Sequence, residues 1–162
     1  MVEGLDHHAF MQDALQEARV AMSSGDVPVG AVVVVNGVIL GRGRNCREAL
    51  TDPTAHAEVM ALRDAAQQLG SWRLTAAVLY VTLEPCIMCI GAAVLSRIQK
   101  LIFGCEDSKA GACGSQFDIL GAQRLNHTFP VVSGVCQTES SALLSEFFRQ
   151  LRLNKDVKPV QD

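Results

Sequence analysis

The chain has 162 residues and a net charge of −3, with 49% hydrophobic and 19% charged residues, the balance of an ordinary globular protein with one continuous core. No apolar run approaches the ~18 to 20 residues of a membrane span, and MVEGLDHH carries no basic stretch leading into an apolar one, so a cytoplasmic protein is expected. The slightly acidic balance excludes a global cationic field, so any grip on phosphates has to come from a local basic patch.

Phe10, Ala14, Leu15, Ala18 and Ala21 recur at helical spacing with Gly25 just beyond, which predicts an opening helix. "VGAVVVV", "NG" and "VILG" follow as a β-hairpin, because Asn36-Gly37 tolerates the positive φ angles of a tight primed turn. Residues 55–69 predict a helix that starts after Pro53-Thr54 and stops at Gly70. "AVLYVTL" (77–83) and "KLIFG" (100–104) are short apolar strands, joined by a helix from Pro85, at its first position, to about Ser96. A strand, a crossover of that length and another strand imply a right-handed parallel βαβ unit with helices on both sheet faces. "HTFPVVSGV" is a weaker strand that Pro130 pushes to an edge. "SALLSEFFRQLRL" is an amphipathic closing helix whose Leu143, Leu144, Phe147, Phe148 and Leu151 are spaced for a core. The last nine residues read as a frayed end. With no repeats or linkers, residues 1–162 form one domain, its core about 5–153, and the fold is a three-layer α/β/α sandwich around a mixed sheet of about five strands.

His56 and Glu58 are two apart, so they point ~200° away from each other in mid-helix and share a site only at a helix end. Cys86 and Cys89, three apart, share one helix face. The "VTLEPC" junction lies beyond the carboxyl end of a parallel strand, the place where helix N-termini converge and sites form in such sheets, and the helix that begins near His56 would meet it end-on there. One histidine and two thiolates match three protein ligands of a tetrahedral zinc, one ion per chain, with the fourth position left for water. Glu58 is then a proton carrier for that water and not a ligand. The rival readings are a redox C-x-x-C, an incidental buried pair, or a structural zinc module, and the last leaves Glu58 without a role. Cys105, Cys113 and Cys136 read as buried or incidental thiols, since a chain without a secretion signal keeps its six cysteines reduced or metal-bound.

H-x-E together with P-C-x-x-C is the signature of the zinc nucleobase deaminases. "VPVGAVVV", "DPTAHAEVMALR", "YVTLEPCIMCIGA", "SRIQKLIFGCEDSKAGACGS" and "LLSEFFR" stand in the order found in the bacterial tRNA-specific adenosine deaminases, the TadA family of the cytidine deaminase-like superfamily, and the chain resembles that family over about Leu5 to Leu153. The resemblance implies that His56, Cys86 and Cys89 hold Zn2+ and that Glu58 shuttles protons for a zinc-bound water. The implied reaction is hydrolytic deamination of adenosine to inosine at the first anticodon position of tRNA, by a homodimer. It implies further that Asn45 contacts the flipped base, that Val29 lies in the pocket wall, and that Asp107 and Lys109 belong to a loop gripping the anticodon. Cys46, in "RNCRE", departs from the basic residue that many members carry. Phe148 is read either as core or as a stacking face, and Arg149, Arg152 and Lys155 either as a solvated face or as the place of RNA phosphates. Deamination of a free base or nucleoside shares all of this zinc chemistry. A basic helix end and the "DSKAG" loop favour the polynucleotide.

Overall fold

The computed structural model describes residues 4–122 and 124–156. Helix α1 (His7–Ser23) starts at Asp6, whose carboxylate accepts the Ala9 N–H at 3.0 Å, and stops at Ser24 and the left-handed Gly25. Strands β1 (Gly30–Val35) and β2 (Val38–Arg44) form the expected hairpin, with φ of 50° at Asn36 and 77° at Gly37. A single turn, α2 (Arg47–Leu50), precedes α3 (Ala57–Leu69), and β3 (Ala77–Leu83), α4 (Ile87–Ser96) and β4 (Lys100–Cys105) form the βαβ unit. After a long loop come β5 (Val131–Val132) and α5 (Gln137–Asp156).

The sheet order is β2-β1-β3-β4-β5, with β1 antiparallel to both neighbours and β3, β4 and β5 parallel. Side chains alternate across it, so each strand feeds two cores. Val33, Leu79, Val81, Leu101 and Phe103 meet Ala61, Leu62 and Ala65 of α3 and Ile90, Ala93 and Val94 of α4. Val32, Val34, Val78, Tyr80 and Ile102 face the other way, onto Met11 and Ala14 of α1. The result is the three-layer, five-stranded mixed-sheet sandwich expected. Helix α3 rides directly on β2, because Gly41 and Gly43 present no side chain; a Cβ at either would strike α3 backbone.

Several local expectations change. The second long helix starts at Ala57, not 55, and has His56 as its N-cap residue; α4 starts at Ile87, not Pro85, with Cys86 as its N-cap residue. The one-turn α2 carries too few residues to show a period, and Asp26 holds it by accepting the Glu48 and Ala49 N–H groups at 2.7 and 3.2 Å. The edge strand is two residues long. Helix α5 runs through Asp156, so residues 154–156 are helical while 157–162 lie outside the described residues. Its apolar face is core only in part: Leu144 packs against the core, Leu143 and Phe147 are half-buried, and Phe148 and Leu151 are exposed.

Candidate active site

His56 and Cys86 are N-cap residues with extended backbone (φ −75°, ψ 151° and φ −78°, ψ 177°), and Cys89 lies in the first turn of α4. The N-termini of α3 and α4 therefore meet end-on beside the end of β3. His56 Nδ1 lies 3.6 Å from Cys86 Sγ and 3.5 Å from Cys89 Sγ, and the three ligand atoms all lie within 4.8 Å of one another. Bond lengths of about 2.3 Å to sulfur and about 2.0–2.1 Å to nitrogen, at a tetrahedral angle, require a sulfur-to-nitrogen spacing of about 3.5 to 3.6 Å. The donor set and its spacing thus fit zinc.

The proton distribution agrees. The Cys89 thiol donates to Cys86 and, with His56, holds Cys86 down to about 3 against the effect of burial. That same hydrogen bond to Cys86, reinforced by burial and by Glu58, pushes Cys89 far above the ordinary thiol range. A dication bound between the two sulfurs would favour the thiolate form of both. Hydrogen bonding to Cys86 raises His56 despite its burial.

Glu58, in the first turn of α3, is only 4% exposed. Burial pushes its carboxyl above the usual range, opposed by its own backbone hydrogen bond and by His56, the direction that suits a group which must both take and return a proton near neutral pH. A cavity of about 210 Å³ opens over this cluster, walled by Val27, Val29, Ala57 and Leu83 on its apolar side and by Asn45, Arg47, Glu84 and Asp107 on its polar side, with Ala110 at the rim loop.

Val29, Asn45 and Asp107 therefore stand at the cavity. Asn45 is also a turn-former: its Oδ1 accepts the Arg47 N–H at 3.3 Å and its Nδ2 donates to Val27 O at 3.2 Å. Lys109 is exposed on the loop beyond Asp107, whose Oδ1 accepts its N–H at 3.0 Å. Phe148, Arg149 and Arg152 are exposed on α5 and do not line the cavity; Phe148 stands edge-on to Phe147, and Arg149 is paired with Glu146 at 2.7 Å. Two charged cavity residues were not singled out from sequence. Arg47 sits on the unpredicted α2, and Glu84 directly precedes Pro85-Cys86 at the carboxyl end of a parallel strand, a position that could have flagged it.

Mixed sheet, converging helix starts and a His/Cys/Cys cluster beside a buried glutamate define a hydrolytic deaminase of the cytidine deaminase-like fold. Residues 5–152 match the sequence pattern of the MafB19-like deaminases. The tRNA-specific adenosine deaminase of Bacillus subtilis (strain 168) is 49% identical over 146 residues, 90% of this chain and 91% of that one. Its Haemophilus influenzae counterpart is 46% identical over 150 residues, 92% and 87%. A solved structure from a study of A-to-I editing by tRNA:A34 deaminases at the wobble position of transfer RNA superposes with a TM-score of 0.82 at 43% identity, covering 84% of this chain and 99% of that one. The chain belongs to the tRNA-specific adenosine deaminase family.

Proposed function

We propose that this protein is a hydrolase of C–N bonds that converts adenosine to inosine at the wobble position of tRNA. The observation that carries the reading is that His56, Cys86 and the buried Glu58 line one cavity, with Cys89 completing the His/Cys/Cys cluster behind them, in a chain nearly half identical to named tRNA-specific adenosine deaminases.

His56 Nδ1 and the two cysteine sulfurs would hold zinc, whose Lewis acidity would let a water act as nucleophile near neutral pH. Glu58 accepts the proton of the water that attacks C6 and delivers it to N1 of the purine. It then carries a second proton to the amino group leaving as ammonia. Val27, Val29 and Leu83 give the base an apolar slot. The second amide hydrogen of Asn45 is left to meet a polar edge of that base. The adenosine has to leave its stack to reach this floor, and an unpaired loop nucleotide does so at least cost. Asp107 and Lys109 from the rim loop, and Phe148, Arg149 and Arg152 from α5, are our candidates for holding the flanking RNA.

The test offers an anticodon stem-loop with adenosine first in the anticodon, free adenosine and free cytidine at equal concentration. Inosine should form in the stem-loop with the highest catalytic efficiency. Turnover of either nucleoside at an efficiency equal to or above the stem-loop's would overturn the tRNA reading.

The enzyme works, in this reading, as a homodimer in the cytoplasm. Among the described residues no helix is long and apolar enough to cross a membrane. Helix α4 buries Cys89, Ile90, Ala93 and Val94, yet its outer side carries Ile87 (48% exposed) and Leu95 (70%) with the half-buried Met88, Gly91 and Ala92 between them. An apolar stripe beside the site suits a self-complementary contact. Leu95→Glu should halve the mass measured by light scattering at micromolar concentration. A monomer mass for the unaltered protein would refute the dimer.

A further inference from the structure

The loop that bears Asp107 and Ala110 at the cavity is tied to the end of β3 chiefly through one side chain, with Ala112 buried in the core beneath it. Glu84 is 2% exposed, and its two carboxylate oxygens accept from Asp107 N (3.3 Å), Cys113 N (3.1 Å), Ser115 N (3.3 Å) and the Ser115 hydroxyl. The Ala112 N–H donates to the next carbonyl, Pro85 O, at 2.8 Å. Among the described residues, the hydrogen bonds joining residues 106–116 to the body of the fold all end on Glu84 or Pro85. No ion pair to a basic side chain is found for Glu84 among those residues, so the loop's own N–H and O–H groups compensate its burial.

Gly111 belongs to the same arrangement. A Cβ there would collide with the Glu84 carboxylate and with Asp107 O, so the requirement for glycine is one of space. Asp107 in turn accepts the Lys109 and Ala110 N–H groups at 3.0 and 3.2 Å, which turns Ala110 to the cavity rim and leaves Lys109 outside.

We propose that Glu84 is the positioning residue for RNA capture: it anchors loop 106–116 as a fixed wall of the cavity, on the same strand end that delivers Cys86 to the metal cluster. The inference deepens the tRNA reading and rests on it. The reacting groups are held by α3 and α4, whereas the loop supplies only the wall and rim. Loosening it removes binding that is equal in ground and transition states, so the loss falls on KM more than on kcat.

The experiment compares the intact protein with Glu84→Gln, Gly111→Ala and Ser115→Ala. Glu84→Gln keeps the shape but turns an acceptor oxygen into a donor among donors. Gly111→Ala keeps the carboxylate and displaces the loop, so it decides the question by the same readouts if Glu84→Gln does not fold. Both should retain one metal per chain and lose amide-exchange protection in 106–116 while β3 and α4 keep theirs. Both should raise KM for the anticodon stem-loop about tenfold or more, with a smaller fall in kcat. Ser115→Ala, which removes one donor of four, should move the same way by less. Unchanged loop protection, loss of metal with the Glu84 substitution, or a defect confined to kcat would each overturn the assignment. Failure of the unaltered protein to deaminate the stem-loop would sink the tRNA reading alone, and loop protection together with the Kd for the stem-loop would then decide the role of Glu84.

Discussion

Glu58→Ala should give a protein that folds, holds its metal and binds RNA, yet loses about 10²- to 10⁴-fold in single-turnover rate. The substitution removes a carboxyl that is 4% exposed in the first turn of α3, so it relieves a desolvated acid and leaves only a small space that opens onto the cavity. The neighbouring cluster keeps all three ligand atoms, since His56 is the N-cap of α3 and the two cysteines belong to α4. What disappears, in this reading, is the group that takes the proton of the attacking water to N1 and then carries a second proton to the leaving amino group. None of its titratable neighbours in the cluster substitutes for it: His56, Cys86 and Cys89 are committed as ligands in this reading. Single-turnover measurement matters because product release could mask a chemical defect in steady state. A variant within tenfold of the unaltered rate would rule out Glu58 as the shuttle.

Signals that depend on neighbours in sequence were legible before the fold was known. The Asn36-Gly37 turn demands positive φ, and the apolar strands flanking a helix of one crossover's length leave the βαβ unit as the natural pairing. The meeting of His56 with Cys86 and Cys89 was legible for a related reason: three ligand-type side chains and a carboxylate at two helix starts have few other uses. Features set by distant partners were not legible. Helix α2 is one turn long and owes its place to Asp26, more than twenty residues earlier. Glu84 looked like an ordinary glutamate because its partners, from Asp107 to Ser115, lie more than twenty residues later in a segment with no period. Helix α5 shows the opposite error. Its spacing declares an apolar face but not what covers it, and Phe148, Leu151 and Leu153 prove exposed. The start of α4 slipped by two residues because proline at a first helical position and proline just outside the cap are both compatible with a missing N–H.

His56→Ala and Cys86→Ser should each bring metal content from one ion per chain to a small fraction of one, abolish deamination, and lower the thermal midpoint by about 10 °C or more. The size of the effect follows from what the ion would join. His56 starts α3, and Cys86 and Cys89 start α4, thirty residues further on, so one tetrahedral centre would tie two segments that otherwise meet through the sheet-facing sides of their helices. The ion would also compensate the crowding of two thiol sulfurs and a buried carboxyl at one point, where hydrogen bonding from Cys89 and His56 holds Cys86 down to about 3 and the bond to Cys86 pushes Cys89 far up. Serine in place of Cys86 offers a hydroxyl that does not ionise at neutral pH, and alanine in place of His56 removes the nitrogen that faces both sulfurs at 3.6 and 3.5 Å. Cys105→Ser provides the control: Cys105 is a free thiol, buried, whose Sγ points to Thr82 O at 3.6 Å and stands outside the cluster. It should lose some stability and keep its metal. If metal analysis finds full zinc occupancy in both ligand variants, the assignment of His56 and Cys86 as ligands fails, whatever happens to activity.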